Sequence, residues 1–484
     1  VAPVIPRRRA NLASTVTLGL FFTITLAGLA VGGRITPLLY VLLATLAGFV
    51  AYYREPTRYV GFVFGLWFFT PWVRRIIDYH NGFNPTNVVL LAPLLVTMIA
   101  LLTPISRARE LRGSMMYPFI FTFSAVMYGY AVGALKSGFI PATYAMLTWV
   151  APISFSMHLM LSWRIFPRLR DSFLTFLQWA LPVIAAYGIY QFVRPPVWDL
   201  AWMMAADVAS IGIPAPFSFR AFGTLNTPGP YAVALLIGML FLLGTTRRGL
   251  VLSLSLGLVA ILLTRTRATW VAFAVGLLVV QFMGPVRRIT RNWMILLLMV
   301  ALALPLLSLD VFRDTISKRL ASFATLSQDQ SVKQRLIMSR EATNIIATRA
   351  EGEGLGATGG GTKLQEGGRT ASIDNGFLEV FYVLGWPGGS LLMLGLIGHI
   401  ITLTRFRDAR QDAFANSARA CFWAMLSVLL IGDIFSGSVG TMYWGCYGFA
   451  CCAHAYNFAL GRGLRSREIA RQLVPPEPAP NLGG

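Results

Sequence analysis

From Thr15 onward the chain alternates long apolar runs with short polar gaps. The runs are about 17–25 residues long, the length an α-helix needs to cross a hydrocarbon core of about 30 Å. Fourteen are read, centred near Thr23, Leu43, Gly65, Leu95, Ser124, Pro152, Pro182, Leu236, Gly257, Ala274, Met299, Leu391, Val428 and Phe449. The expected fold is therefore an all-α polytopic membrane protein of about 14 transmembrane helices. Arg7, Arg8 and Arg9 precede the first run as in a signal peptide. Further spans follow at once, so a retained first helix is the expectation.

Composition agrees. A chain of 484 residues that is 56% hydrophobic and 13% charged, with a mean hydropathy of +0.63, carries more apolar surface than a soluble core can enclose. The net charge of +21 would suggest nucleic acid in a soluble protein. Here it sits in the gaps and reports orientation instead. With the N-terminus cytoplasmic, the inward gaps carry Arg54 and Arg58; Arg107, Arg109 and Arg112; Arg164, Arg168 and Arg170; Arg247 and Arg248; Arg287, Arg288 and Arg291; and Arg405, Arg407, Arg410 and Arg419. Every inward gap is basic, and both termini fall inside. No nucleic-acid partner is implied. The four cysteines, Cys421, Cys446, Cys451 and Cys452, show no metal or disulfide spacing, and they read as buried and inert. No metal or other cofactor is expected.

The organisation expected from this count is a seven-span region over 1–193, a first outward loop with spans eight to eleven over 194–310, a large outward loop over 311–375, three spans over 376–460, and a basic, Pro-rich tail over 461–484. The large loop contains helical spacing from Val332 to Ile346, with Leu336, Ile337, Ile345 and Ile346 set among Lys333, Arg335, Arg340 and Glu341. That pattern predicts an amphipathic helix.

Residues that break the topology rule carry the candidate chemistry. Arg265 and Arg267 occupy a short outward gap, Leu263-Thr264-Arg265-Thr266-Arg267-Ala268. They are either snorkelling cations or ligands for phosphate oxygens. Arg220 opens Arg-Ala-Phe-Gly-Thr-Leu-Asn-Thr-Pro at 220–228, where Asn226 is a substrate contact or a helix cap. Asp374, in Asp-Asn-Gly-Phe-Leu-Glu at 374–379, is either a cap or a base for a sugar hydroxyl. Asn375 and Glu379 stand beside it, Glu379 being an ionisable group one turn into a span. Arg74, Arg75, Asp78, Tyr79 and His80 form a further outward cluster, read as a solvated loop, with Tyr79 and Asp78 as candidate sugar contacts. Trp198, Trp202 and Trp386 are either platforms for sugar rings or, by default, interfacial aromatics. Gly352–Gly361 followed by Thr362-Lys363 lacks the residue order of a phosphate loop.

Taken in order, the motifs at 220–228 and 263–268, the Gly-Leu-Gly at 354–356, the 374–379 segment and Leu-Gly-Trp-Pro-Gly at 384–388 resemble the O-antigen ligase and O-antigen polymerase superfamily of bacterial membrane glycosyltransferases. The resemblance covers roughly Arg194 to Thr404. It implies a GT-C-like bundle with a large periplasmic loop, in the bacterial inner membrane. It also implies a metal-independent transferase taking a glycan from an undecaprenyl-pyrophosphate-linked oligosaccharide at the periplasmic face. By that resemblance Arg220 and Arg265 or Arg267 hold pyrophosphate; Asp374, on the reading of its own chemistry, could assist in orienting the acceptor hydroxyl. Arg335 and Arg340 are further candidate substrate contacts. Ligases of the family typically carry His-Asn where this chain has Asp374-Asn375, which favours a polymerase of exopolysaccharide or O-antigen type. The expected partners are the lipid-linked donor, a growing polysaccharide acceptor, a chain-length regulator and a flippase. The alternatives are a ligase moving glycan to lipid A core or protein, and a lipid-linked oligosaccharide flippase or other transporter.

Overall fold

The computed structural model describes residues 7–112, 114–206, 208, 210–245, 249–282, 286–310, 312–313, 317, 330–365, 373–406 and 412–473. Arg247, Arg248, Arg407, Arg410 and the tail from Val474 lie outside them, as do the side chains of Leu336, Ile337 and Arg335. Among the described residues the secondary structure is helical, apart from a single bridge between Gly212 and Phe219.

Each expected centre falls in a helix. The first seven are α1 (Arg7–Val31), α2 (Thr36–Arg54), α3 (Pro56–Asn81), α4 (Val88–Ser106, tightened to 3₁₀ at two points), α5 (Tyr117–Lys136), α6 (Phe139–Leu161) and α7 (Phe166–Val193). A short helix α8 (Val197–Ala206) follows, then α9 (Pro228–Leu243), α10 (Leu250–Leu263), α11 (Arg267–Phe282) and α12 (Val286–Leu307). The expected amphipathic helix is α13 (Gln330–Thr348), with Ala342 and Ile346 buried and Arg340 exposed. The last three are α14 (Gly376–Arg405), α15 (Ala413–Val428) and α16 (Gly437–Leu473). Among the described residues, nine helices are long and apolar enough to cross a membrane: α1 to α7, α12 and α14. Helices α9, α10 and α11 are apolar but shorter.

The helices pack around an aromatic centre in which the tilted rings of Phe173 and Phe449 lie 4.5 Å apart and Phe241 lies 5.0 Å from Phe414. Apolar side chains such as Phe22, Leu26, Trp179, Leu297 and Leu298 stay on the outside. An exposed apolar belt around a polar-poor core is the pattern of a lipid-facing bundle.

Helix ends sort onto two faces. On one, Arg107 donates to the Leu161 carbonyl at 2.9 Å, Arg164 pairs with Glu110 at 3.2 Å and Arg419 donates to the Phe406 carbonyl at 2.9 Å. On the other, Asn81 reaches Gly33, Lys136 binds Glu351 at 2.8 Å, Arg265 reaches Phe217, and the Gly376 amide donates to Leu429 at 2.9 Å. This second, long-loop face gathers the described residues of 194–227, 349–365, 373–375 and 429–436.

Helix α14 is broken near its middle. Gly385 has φ +61°, and Pro387 has no amide for the Val383 carbonyl. The glycine-rich strand after α13 replaces the lost bonds. The amides of Glu353 and Gly354 donate to Tyr382 and Val383 at 2.9 and 2.8 Å, the Trp386 amide donates to Ala350 at 2.8 Å, and the Leu355 amide donates to Gly129 on α5 at 2.8 Å. Non-helical backbone at this depth survives only when neighbouring protein satisfies it. Close approach then demands glycine: a Cβ on Gly133 would sit 2.1 Å from the Leu355 carbonyl oxygen, and one on Gly354 2.2 Å from the Gly133 amide nitrogen. Both obstacles are backbone. Gly133→Ala is expected to cost about 2 kcal/mol or more, read as a drop in the thermal unfolding midpoint of the protein in detergent. An unchanged midpoint would mean that the strand does not lie against α5.

Candidate functional site

On the long-loop face the chain from Ser210 to Thr227 is anchored from below by a buried polar network on α3, α7 and α8. Arg75 and Asp199 form an ion pair at 2.7 Å with both side chains fully buried. The Arg75 guanidinium also donates to the carbonyls of Gly223 and Leu225, and weakly to Asn226 Oδ1 at 3.4 Å. It lies over the rings of Phe222 and Trp202. Gln191 donates to Asp199 Oδ2 at 2.6 Å and accepts from the Phe222 and Gly223 amides, while Tyr187 donates to the same Asp199 oxygen at 2.8 Å. Satisfying every member in this way is what makes a buried charge pair tolerable.

Two expectations are corrected here. Arg74, Arg75 and Asp78 are not a solvated loop: α3 continues to Asn81 and buries all three. Arg74 pairs with Asp78 at 3.0 Å and donates to the Asn84 carbonyl, and Asn87 donates to Asp78 at 2.6 Å while capping α4 through the Val89 amide. Polar partners from the neighbouring loop let the helix run past the point where hydropathy alone ends it. Trp202 likewise is buried against Arg75 rather than exposed at an interface. Tyr79 points outward, half exposed beside His80, and does not join the network.

Arg220 has a structural task that its sequence context did not show. Its Nε donates to the Thr264 carbonyl at 3.0 Å, one terminal nitrogen to the Ser210 carbonyl and the other to Thr266 Oγ1 at 2.9 Å. The Ala221 amide donates to Leu263 at 3.1 Å. The motifs at 220–228 and 263–268 are thus one unit. Arg265 takes the left-handed conformation at φ +52°, donates to the Phe217 carbonyl at 3.1 Å and lies over the Phe192 ring. A non-glycine residue held at positive φ is a strained position of the sort that collects at functional sites. Arg267 begins α11, half-buried. Asn226 does not cap α9: Thr227 is the N-cap residue, and its side chain makes no capping bond.

The other part of the site lies at the start of α14. Asn375, not Asp374, caps the helix, accepting from the Leu378 amide at 3.1 Å. Asp374 is exposed at the N-terminal entrance. Glu379, one turn in, is hydrogen-bonded by the Thr358 hydroxyl and neighbours both Asp374 and Asp433. Asp433 accepts from the Phe435 amide at 2.7 Å and from the Ser436 hydroxyl, fixing the turn before α16. Burial pushes its carboxyl above the ordinary aspartate range, and the bonds from Ser436 and nearby amides pull it part of the way back. A Cβ on Gly376 would meet the Gly432 carbonyl at 2.5 Å, so the start of α14 and the 429–436 turn are in direct contact.

Helix register places the two parts at one end. Helix α11 packs on α15, with Gly276 against Ala424 and the Asn416 side chain donating to Val280 at 3.1 Å. Running back one helical stretch from those contacts brings Arg267 to the end where α15 enters the 429–436 turn. Arg340 lies exposed on α13, and the Arg335 side chain is outside the described residues. Sequence reasoning missed Gln191, Asp199, Thr358 and Asp433. Asp199 sits between two tryptophans in an apolar stretch and Asp433 precedes a Phe-Ser turn, so polar atoms in apolar surroundings were the available signal.

An arginine-bearing turn and a carboxylate-bearing helix start lie toward one end of a bundle whose apolar helices make this a multi-pass membrane protein. Residues 250–393 match the family model described as O-Antigen ligase, which supports the O-antigen ligase and polymerase superfamily; its members are glycosyltransferase-like enzymes. The matched segment runs from α10 past the α14 break and includes Arg265, Arg267, Asp374, Asn375 and Glu379. Comparison with curated proteins finds no match.

The buried pair makes a stability prediction. Asp199→Leu strands a buried guanidinium and is expected to cost about 3 kcal/mol or more, whereas Arg75→Met combined with Asp199→Leu should cost clearly less than the sum of the single changes. Chemical unfolding in detergent measures all three. Strict additivity would show that the two side chains do not act as a pair.

Proposed function

We propose that this chain is a polysaccharide polymerase, joining undecaprenyl-pyrophosphate-linked repeat units at the periplasmic face of the bacterial inner membrane. The observation that carries the reading is the convergence at one end of the bundle of the Arg220–Arg267 unit with Asp374, Glu379 and Asp433, within and beside the segment similar to O-antigen ligases. On this reading all fourteen helices cross the membrane, both termini are cytoplasmic and the long-loop face is periplasmic. The basic gaps on the opposite face support that orientation.

The reaction is substitution at an anomeric carbon. The acceptor hydroxyl oxygen bonds to that carbon, the bond to the pyrophosphate oxygen breaks, and the hydroxyl proton leaves to a base. Pyrophosphate departs readily once its developing charge is met, so the protein's tasks are charge stabilisation and orientation of the acceptor. Arg265 and Arg267 supply charge without a metal, and Arg220 holds the turn that presents them. Asp374, which is exposed and is not the cap of α14, receives or orients the acceptor hydroxyl. The description of the matching family favours a second reading, a ligase that delivers the finished glycan to lipid A core or to a protein. The transporter reading has no support in that match.

Three experiments test the proposal. A periplasmic reporter fused after Gly361 should be active and one fused after Arg410 silent; the same compartment for both would remove the fourteen-span arrangement. Arg265→Lys with Arg267→Lys should insert normally yet lower polymer formation about tenfold or more, because an ammonium cannot reproduce a bidentate grip; wild-type turnover would assign both to the membrane interface. Asp374→Asn should keep the unfolding midpoint, since Asn375 is the cap, while losing most in-vitro polymerisation of a lipid-linked repeat unit. Full activity would leave the arginines as the source of rate.

A further inference from the structure

The cluster at the outer end of α3 borders a cavity of about 530 Å³ between the start of α4, the start of α6 and a 3₁₀ turn at Gly359–Leu364. Its floor is polar, with Asn87, Tyr144 and the solvent-exposed Lys363, and its wall is apolar, with Leu91, Ile140 and Leu147. We propose that this cavity binds the phosphate head of a lipid, with the lipid tail leaving sideways along α6. The inference goes beyond glycan transfer and requires only a phosphate and a hydrocarbon chain.

Charge and shape both point there. Arg74 is answered by Asp78 at 3.0 Å. Lys363 makes no ion pair among the described residues, and the charge acting on it is a second cation, Arg74. Partial burial and Arg74 together pull the Lys363 ammonium below the ordinary lysine range, so its charged form is disfavoured there and a bound anion would restore it. The Tyr144 side chain lies beside Arg74 and adds a hydroxyl to the same floor. A free anion would need only that floor. The apolar wall, however, opens at Phe139 and Ile140, which are 68% and 70% exposed on the bundle surface. A cationic floor joined to a lateral apolar exit fits an amphiphile, and its volume is in the range of ordinary ligand sites. The lysine belongs to the Gly-Gly-Thr-Lys segment, which has no place in a nucleotide loop and here closes the cavity.

The test uses the full chain in detergent micelles with a photoreactive benzoylphenylalanine in place of Ile140. Phosphorus-labelled farnesyl phosphate and dioctanoyl phosphatidate are the probes. Labelling at this position should be competed by either unlabelled phospholipid analogue, but not by farnesol or inorganic phosphate at the same concentration. Lys363→Gln should lower labelling about tenfold, Lys363→Arg should retain it, and Thr143→Trp should abolish it by filling the cavity. The stronger of the two probes identifies the tail as prenyl or acyl. Labelling in Lys363→Gln equal to the parent, or competition by inorganic phosphate as effective as by farnesyl phosphate, would overturn the assignment. Polymerisation is not part of the readout, so the outcome is separate from that of the transferase reading.

Discussion

The structure depends on one constraint, that a backbone amide or carbonyl within a membrane-spanning bundle must find its partner inside the protein. Helix α14 breaks that rule at Gly385 and Pro387 and is repaired by a strand from a different part of the chain, Ala350 to Leu355. The repair explains why two distant motifs, Gly-Leu-Gly at 354–356 and Leu-Gly-Trp-Pro-Gly at 384–388, occur together. Each supplies what the other lacks, amides on one side and orphaned carbonyls on the other. It also fixes the nine residues of α14 ahead of the break as a short rigid stub bearing Glu379, held at one end by Leu429 and at the other by the glycine-rich strand.

The same logic governs the arginine-bearing part. The 221–226 segment has little regular structure, and its carbonyls are collected by Arg75 and its amides by Gln191. Arg220 then ties that segment to the turn carrying Arg265 and Arg267. Neither part of the site rests on a free loop. Preorganised charge contributes to rate only when it need not rearrange as the reaction proceeds, and anchoring to the bundle meets that demand.

Much of this was legible in the sequence because hydropathy is a strong signal in lipid. All fourteen centres fall in helices, and the Val332–Ile346 spacing falls within Gln330–Thr348. The motif at 263–268 stood out because cations there defy the topology rule, and the structure places it against the motif at 220–228. What escaped was polar chemistry inside helices. Hydropathy ends α3 before Arg74, whereas buried partners from Asp78, Asn87 and Asp199 carry it on to Asn81. At Asn226 and Asp374 the sequence left capping open as one of two readings, and the N-cap position falls one residue later in each case, since neighbouring Asn, Asp and Thr are all good caps and only geometry selects among them. Glu379 and Asp433 lie 54 positions apart in the chain, so no local pattern could have joined them.

Those cap positions bear on the chemistry. A carboxylate committed to capping is held by backbone amides and is a poor proton acceptor, because its lone pairs are already engaged. Asn375 takes that task, which leaves Asp374 exposed at the entrance, while Asp433 is tied into its own turn. The three carboxylates are therefore not equivalent. Asp433 fixes the turn, Glu379 is anchored to Thr358, and Asp374 is the exposed carboxylate at the start of α14, which the proposed transferase would use without displacing a helix cap. Where the leaving group departs well, a base at the entrance has less barrier to remove than one in a demanding acyl transfer, and placing the acceptor oxygen becomes the larger share of the work.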